Sequence, residues 1–163
     1  MEVLDNVYFE GVNEGNVDRL VAINQVIFPI RYSPKVYQEI VACGEISQIA
    51  NLKDSKKTIA GISCRLENTP NDGPILYIIT LGVLAPFRSL GLGSKLLSMC
   101  IDTVESCLPE VTKARLHVQI NNEDAIRFYG RHGFTIVETV QNYYIKVEPR
   151  DAVVLEMKLN PIK

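Results

Sequence analysis

The sequence predicts an α/β (α+β) fold, a sheet of about seven strands with one parallel βαβ unit at its centre. Three observations predict it. Stretches that are rich in β-branched residues or alternate in polarity recur at residues 7–12, 46–52, 58–67, 75–84, 114–120, 134–139 and 153–159. Stretches with a helical period lie at 17–28, 34–43, 91–107 and 123–131. Residues 75–120 run strand, glycine-bearing turn, helix, strand, and such a crossover lays its two strands side by side in parallel. The 163 residues contain no linker, repeat or low-complexity segment, so one domain spanning 1–163 is expected.

After the first strand, Asn16 offers an N-cap to a helix whose Val17, Leu20, Val21, Ile27 and Phe28 share a face, and Pro29 ends it. Ser33 and Pro34 make a second cap and first-turn pair, with Gly44 past the end of the short helix they open. Residues 46–52 and 58–67, joined by a polar turn at 53–57, read as an antiparallel hairpin. A turn at 68–73 leads into the central strand, 75–84. The next helix carries Leu92, Leu96, Leu97, Cys100, Ile101 and Val104 on one side, and strand 114–120 completes the crossover. Asn122 caps helix 123–131 and Gly133 ends it; strands 134–139 and 153–159 follow, joined by a loop at 143–151.

Composition narrows the function. A net charge of −2 with scattered Lys and Arg excludes the concentrated basic field that a nucleic-acid partner needs. The most apolar stretch, 74–86, falls short of the roughly 20 residues that span a bilayer, and the N-terminal residues lack a basic segment followed by an apolar one. No membrane association and a cytoplasmic location, with the nucleus left open, are therefore expected. Cys43, Cys64, Cys100 and Cys107 show no C-x-x-C spacing and there are two histidines, so no metal site is expected. Cys64 and Cys100 read as small core residues.

Chemistry concentrates at the turn after the central strand. In Arg88-Ser89-Leu90-Gly91-Leu92-Gly93, successive N–H groups and a helix dipole converge where an anion could sit. Leu96 stands where a dinucleotide G-x-G-x-x-G turn needs glycine, and the G-x-x-x-x-G-K spacing of a nucleotide P-loop is missing. Gly82 interrupts an apolar strand, which marks a bulge or a backbone that something approaches closely. If the strands on either side of the long helix part, a thin ligand arm fits between them.

Arg88-x-x-Gly91-x-Gly93 resembles the Arg/Gln-x-x-Gly-x-Gly/Ala pyrophosphate loop of the GNAT superfamily of N-acetyltransferases, in the expected place between strand and helix. Residues 122–129 resemble the superfamily's N-x-x-A-x-x-F/L-Y segment. The resemblance implies the GNAT fold, a mixed, mostly antiparallel sheet with helices on both faces, and acetyl-CoA as cosubstrate. It places the cofactor against Leu81, Gly82 and Val83, along Arg88, Ser89, Leu90, Gly91, Leu92, Gly93 and Ser94, and beside Asn122, Ala125 and Tyr129. Tyr129 would protonate the departing thiolate.

Acetyl transfer to an amine needs a neutral nucleophile, a stabilised carbonyl oxygen and a protonated leaving group. Tyr77 and His117 lie on the two strands that flank the crossover helix, so they can face one cleft and share a water that accepts the amine proton. His132, near a helix end, reads as solvent-exposed. An α-amino group, with a pKa near 8, needs less help to become neutral than a lysine near 10.4.

Further stretches resemble one branch of that superfamily, the catalytic subunits of the N-terminal acetyltransferase E (San) type. They are Asn24 to Pro29, Tyr77 to Gly82, Leu84 to Arg88, Leu116 to Gln119 and Asn142 to Tyr144. The branch implies N-terminal methionine followed by an apolar residue as acceptor, and a larger ribosome-associated acetyltransferase complex as partner. It implies a peptide site of Phe28, Pro29, Ile30, Tyr32 and Ile79 on one side and Tyr143, Tyr144 and Val147 on the other. Independently, a Phe-Pro-Ile-x-Tyr loop and a Tyr-Tyr loop offer apolar walls with hydroxyl tips. Phe87, Ile79 and Val147 depart from the branch pattern, where tyrosine, methionine and isoleucine are usual. Two alternatives stay open: a lysine or small-amine acetyltransferase, and a non-catalytic CoA-binding subunit.

Overall fold

The computed structural model describes residues 3–161; residues 1–2 and 162–163 of the expected domain lie outside it. The strands are β1 (Val7–Gly11), β2 (Gln48–Leu52), β3 (Thr58–Thr69), β4 (Gly73–Val83), β5 (Lys113–Gln119), β6 (Thr135–Val140) and β7 (Ala152–Lys158). The helices are α1 (Val17–Ile27), α2 (Pro34–Ala42), α3 (Leu92–Cys107) and α4 (Glu123–Arg131). All strands join one 7-stranded sheet in the order β1-β2-β3-β4-β5-β7-β6. Every neighbouring pair is antiparallel except β4 and β5, which the α3 crossover makes parallel.

Each face of the sheet carries helices because each strand exposes alternate residues to opposite sides. On one face, Leu92, Leu96, Leu97, Cys100 and Val104 of α3 and Tyr129 of α4 pack with Ala60, Ile62, Cys64, Leu76, Ile78 and Leu116. On the other, Leu20 and Ile23 of α1 and Tyr37 and Ile40 of α2 pack with Ile49. α1 approaches the sheet closely at Gly61, where an added Cβ would lie 2.9 Å from Leu20.

Ser33 and Asn122 cap their helices as expected, accepting from the N–H groups of Val36 and Ala125. Asn16 does not. Its side chain accepts from Asn13 N–H and donates to Gly11 O, bracing the turn that precedes α1. The β3–β4 hairpin is tighter than its composition suggests, with Thr69 paired to Gly73 across the turn. Ile46 lies in a short 3-10 turn rather than in β2, and Phe28 falls just outside α1 as its C-cap.

Candidate active site

The sheet parts in its middle. β4 and β5 are paired at Leu76 with Ala114 and Tyr77 with Arg115, and at no later position. Beyond Tyr77, β4 runs on to Val83 bonded only to β3, while β5 runs on to Gln119 bonded only to β7. A slot with two unpaired backbone edges results. At about 3.3 Å per residue its β4 wall is roughly 20 Å long, which suits a thin arm carrying amides.

Near the closed end, β4 holds one residue more than β3: Ser63 pairs with Thr80 and Cys64 with Ile78, leaving Ile79 opposite nothing. The bulge therefore falls at Ile79 and not at Gly82. Gly82 makes room for a side chain instead, since a Cβ there would lie 2.7 Å from Cζ and 3.0 Å from Cε2 of Phe28. Leu81 and Val83 turn their side chains into the α3 core. Only the backbone edge of these three residues is left for a ligand.

At the open end, β4 passes through a 3-10 turn (Ala85–Phe87) into α3. Gly91 is the N-cap of α3 with φ +93, and no side chain caps the helix. Among the described residues, the N–H groups of residues 91 to 94 donate to no protein acceptor, and the first bond of α3 runs from Lys95 N–H to Gly91 O. Free donors at a helix start are an anion cradle. Ser89 and Leu90 are exposed at its rim, Leu92 is buried beneath it, and Arg88 Nε donates to Val83 O at 2.9 Å, which stiffens the exit from β4.

The reacting pair sits where the slot closes. Tyr77 Oη and His117 Nδ1 are 2.6 Å apart, so they bond directly to one another. Burial, followed by the hydrogen bond to Tyr143, pushes the Tyr77 phenol well up, so it stays protonated and donates. Burial pushes His117 down, leaving a neutral ring able to accept. Tyr143 stacks on the His117 ring at 4.0 Å and 6°, with its hydroxyl 3.5 Å from Tyr77 Oη. Tyr129 is buried and its phenol also raised, chiefly by burial. Its hydroxyl has no partner among the described residues, and since no fully buried side-chain oxygen there is left unpaired, the oxygen is not completely sealed in the core. Asn122 is exposed at the start of α4, its Oδ1 bound to the N–H of half-buried Ala125.

The model of the acetyltransferase (GNAT) family matches residues 17–134. The chain belongs to the GNAT family. It is 41% identical over 148 residues to N-alpha-acetyltransferase 50 of Danio rerio, covering 91% of this chain and 86% of that one. It is 38% identical to the probable N-acetyltransferase san of Drosophila melanogaster, covering 91% and 78%. Among solved structures, Arabidopsis thaliana Naa50 in complex with the bisubstrate analogue CoA-Ac-MVNAL superimposes with a TM-score of 0.82 and 42% identity, covering 93% of this chain and 97% of that one.

In this GNAT chain the expected peptide walls meet at the closed end of the slot. Tyr32, between α1 and α2, feels Tyr143 strongly enough that its phenol is raised, after burial, by that neighbour. Tyr144 meets Tyr143 edge-on at 5.0 Å, and burial pushes its phenol up to about 12. Phe28 is half-buried over Gly82, Ile79 packs beside α1, and Pro29, Ile30 and Val147 line the same two loops without a specific contact. The Tyr143–Tyr144 loop is tied down by Tyr144 N–H to Arg150 O, Asn142 N–H to Asp151 and Gln119 to Pro149 O.

Sequence reasoning missed four supports of this site. Arg31 donates to the carbonyls of Gln25 and Phe28, closing the end of α1; a cation just past a helix end is the available signal. Arg65 lies 5.7 Å over the Tyr77 ring, held by Glu67 and by Glu39 of α2. Asn24, Ser63, Thr80 and Tyr37 form a buried hydrogen-bonded cluster under the bulge. His132 is half-buried rather than exposed, with Nε2 3.0 Å from Ser94 Oγ. Cys64 and Cys100 are wholly buried, their sulfurs 3.5 Å apart. Among the described residues no His, Cys, Asp and Glu group could hold a metal, and no helix is long and apolar enough to cross a membrane.

Proposed function

We propose that this protein transfers the acetyl group of acetyl-CoA to the N-terminal amine of proteins, favouring methionine followed by an apolar residue. One juxtaposition carries the reading: a slot that begins at the Tyr77–His117 pair and ends at the free N–H groups of α3. The cradle fits a diphosphate and the unpaired strand edges fit the amides of a pantetheine arm. Acetyl-CoA supplies the activated thioester. Its two relatives named above are N-acetyltransferases, which supports the same chemistry here.

Within this chain, Tyr77 Oη receives the proton of the incoming amine as its own proton passes to His117 Nδ1. Tyr143 holds the imidazole plane, and Tyr129 is a protonated phenol available to the leaving sulfur. Phe28 and the Tyr143–Tyr144 loop enclose the first side chain. Burial of a methionine there contributes roughly 1.5 to 3 kcal/mol, whereas an aspartate at the second position would have to leave water against an aromatic wall. Association with a larger ribosome-bound acetyltransferase complex and a cytoplasmic location belong to the same reading.

The deciding assay compares free Met-Leu, free Met-Asp and N-terminally blocked lysine peptides. Preference for free Met-Leu by about tenfold or more is expected from the burial difference. Equal rates on the blocked lysine peptide would replace this reading with a lysine acetyltransferase. Tyr77→Phe and His117→Ala should each lower kcat about 10²-fold, and the double variant no further, because they act as one relay.

A further inference from the structure

His132 lies outside the reacting pair, but it is built into the corner that holds the cofactor cradle. It is the C-cap of α4, its N–H bound to Tyr129 O, and Gly133 follows at φ +98 to turn the chain away. The ring packs against Phe128 at 4.8 Å. Phe128 in turn sits where a Cβ on Gly93 would reach it at 3.5 Å, so α4 abuts the first turn of α3. Nε2 then meets the hydroxyl of Ser94, whose own N–H is one of the free donors.

We propose that His132 is a positioning residue of the cofactor site, orienting the Ser94 hydroxyl toward the diphosphate of acetyl-CoA. The inference rests on the cofactor reading above. A serine hydroxyl has one proton and two lone pairs. If Nδ1 carries the imidazole proton, Ser94 spends its own proton on Nε2 and turns lone pairs toward the cradle. With the proton on Nε2 the imidazole donates, and the Ser94 O–H is free to join the backbone donors around the anion. An anion in the cradle therefore selects the Nε2–H tautomer. Burial, reinforced by Arg131 on the same helix, keeps the ring neutral, which is the state in which a tautomer choice exists.

The test uses the full chain with acetyl-CoA and a Met-Leu peptide. His132→Phe keeps an aromatic ring against Phe128 and removes the bond that holds the Ser94 hydroxyl; KM for acetyl-CoA should rise up to about tenfold, with kcat and peptide KM unchanged, because an unheld hydroxyl no longer keeps its bond to the charged group. His132→Gln, whose amide can donate from a similar place, should restore most of the loss. Ser94→Ala should match His132→Phe, and the double variant should be no worse than either. In the wild-type protein, ¹⁵N NMR of His132 should show its Nε2 become the protonated nitrogen when CoA is added. Unchanged cofactor KM in both His132→Phe and Ser94→Ala, or a tautomer indifferent to CoA, overturns the inference. Absence of any CoA binding by the wild type would overturn the cofactor reading instead. Should His132→Phe fail to fold, Ser94→Ala and the NMR titration decide alone.

Discussion

Gly82→Ala tests how tightly the peptide loop is set on the sheet. The new Cβ would stand 2.7 Å from Cζ of Phe28 and 3.1 Å from Cδ1 of Ile27, so the ring is about 0.7 Å short of the 3.4 Å at which ordinary contact begins. Its backbone cannot retreat, since Phe28 N–H is bound to Asn24 O at 2.9 Å and its carbonyl accepts from Arg31 at 3.0 Å, so the half-buried ring itself must rotate away. Overpacking of this kind costs about 1 to 3 kcal/mol. For a domain of this size each kcal/mol lowers Tm by roughly 2 to 4 °C, so a fall of about 2 to 12 °C is expected. Thermal denaturation without cofactor measures it cleanly. Because the displaced ring is part of the proposed peptide wall, KM for Met-Leu peptides should rise as well. In a Phe28→Leu background the two closest contacts are gone, Ile27 Cδ1 at 3.1 Å alone remains, and most of the Gly82→Ala penalty should vanish, a coupling of about 1 to 3 kcal/mol. Additive losses in the double variant, or an unchanged Tm in the single one, would refute the packing account of Gly82.

Gly91→Glu should abolish the thermal stabilisation that acetyl-CoA confers, because it forces a side chain to φ +93 and places a carboxylate in the anion cradle; equal shifts in variant and wild type would dismiss the cradle. Asn24→Ala leaves Ser63, Thr80 and Tyr37 short of partners and should cost roughly 1 to 3 kcal/mol by chemical denaturation, with a raised peptide KM because α1 ends in Phe28. In pH terms, His117 and His132 are both lowered by burial, so the unfolded chain binds more protons below a histidine's ordinary pKa of about 6.5. The stability they contribute is present above that value and is lost as pH falls through their folded pKa values. Tm should therefore drop between pH 7 and 5, less so in a His117→Gln, His132→Gln double variant.

The fold was legible wherever local chemistry and tertiary environment agree. Ser33-Pro34 and Asn122 announce their helices, Gly91 and Gly133 sit at positive φ where turns were expected, and the 75–120 crossover is parallel. Asn16 was misread because a polar residue before a helix can bond backward as well as forward, and only the fold of the Gly11–Asn13 turn decides. Gly82 is legible only in part: a glycine in a strand signals a bulge or a close approach without naming what is close, and the side chain that comes close, Phe28, lies 54 positions away. Tyr77 and His117 were placed together by topology, but whether they bond or share a water depends on tenths of an ångström that spacing cannot supply. His132 was hidden because its partner, Ser94, belongs to another helix.

The parted strands have a consequence for the lifetime of the protein. Under the proposed reading, the cofactor lies between two halves of a sheet whose backbone ladder joins them only at Leu76 and Tyr77, the rest of the bridge being the core under α3 and α4, so it acts as a splint as well as a reagent. Linkage then ties survival to supply: at one hundred times its Kd a ligand that binds only the folded chain adds about 2.7 kcal/mol, and each tenfold fall in its concentration removes roughly half of that. A cell poor in acetyl-CoA would hold this enzyme not merely idle but closer to its unfolding threshold, more open to proteases, and hence scarcer.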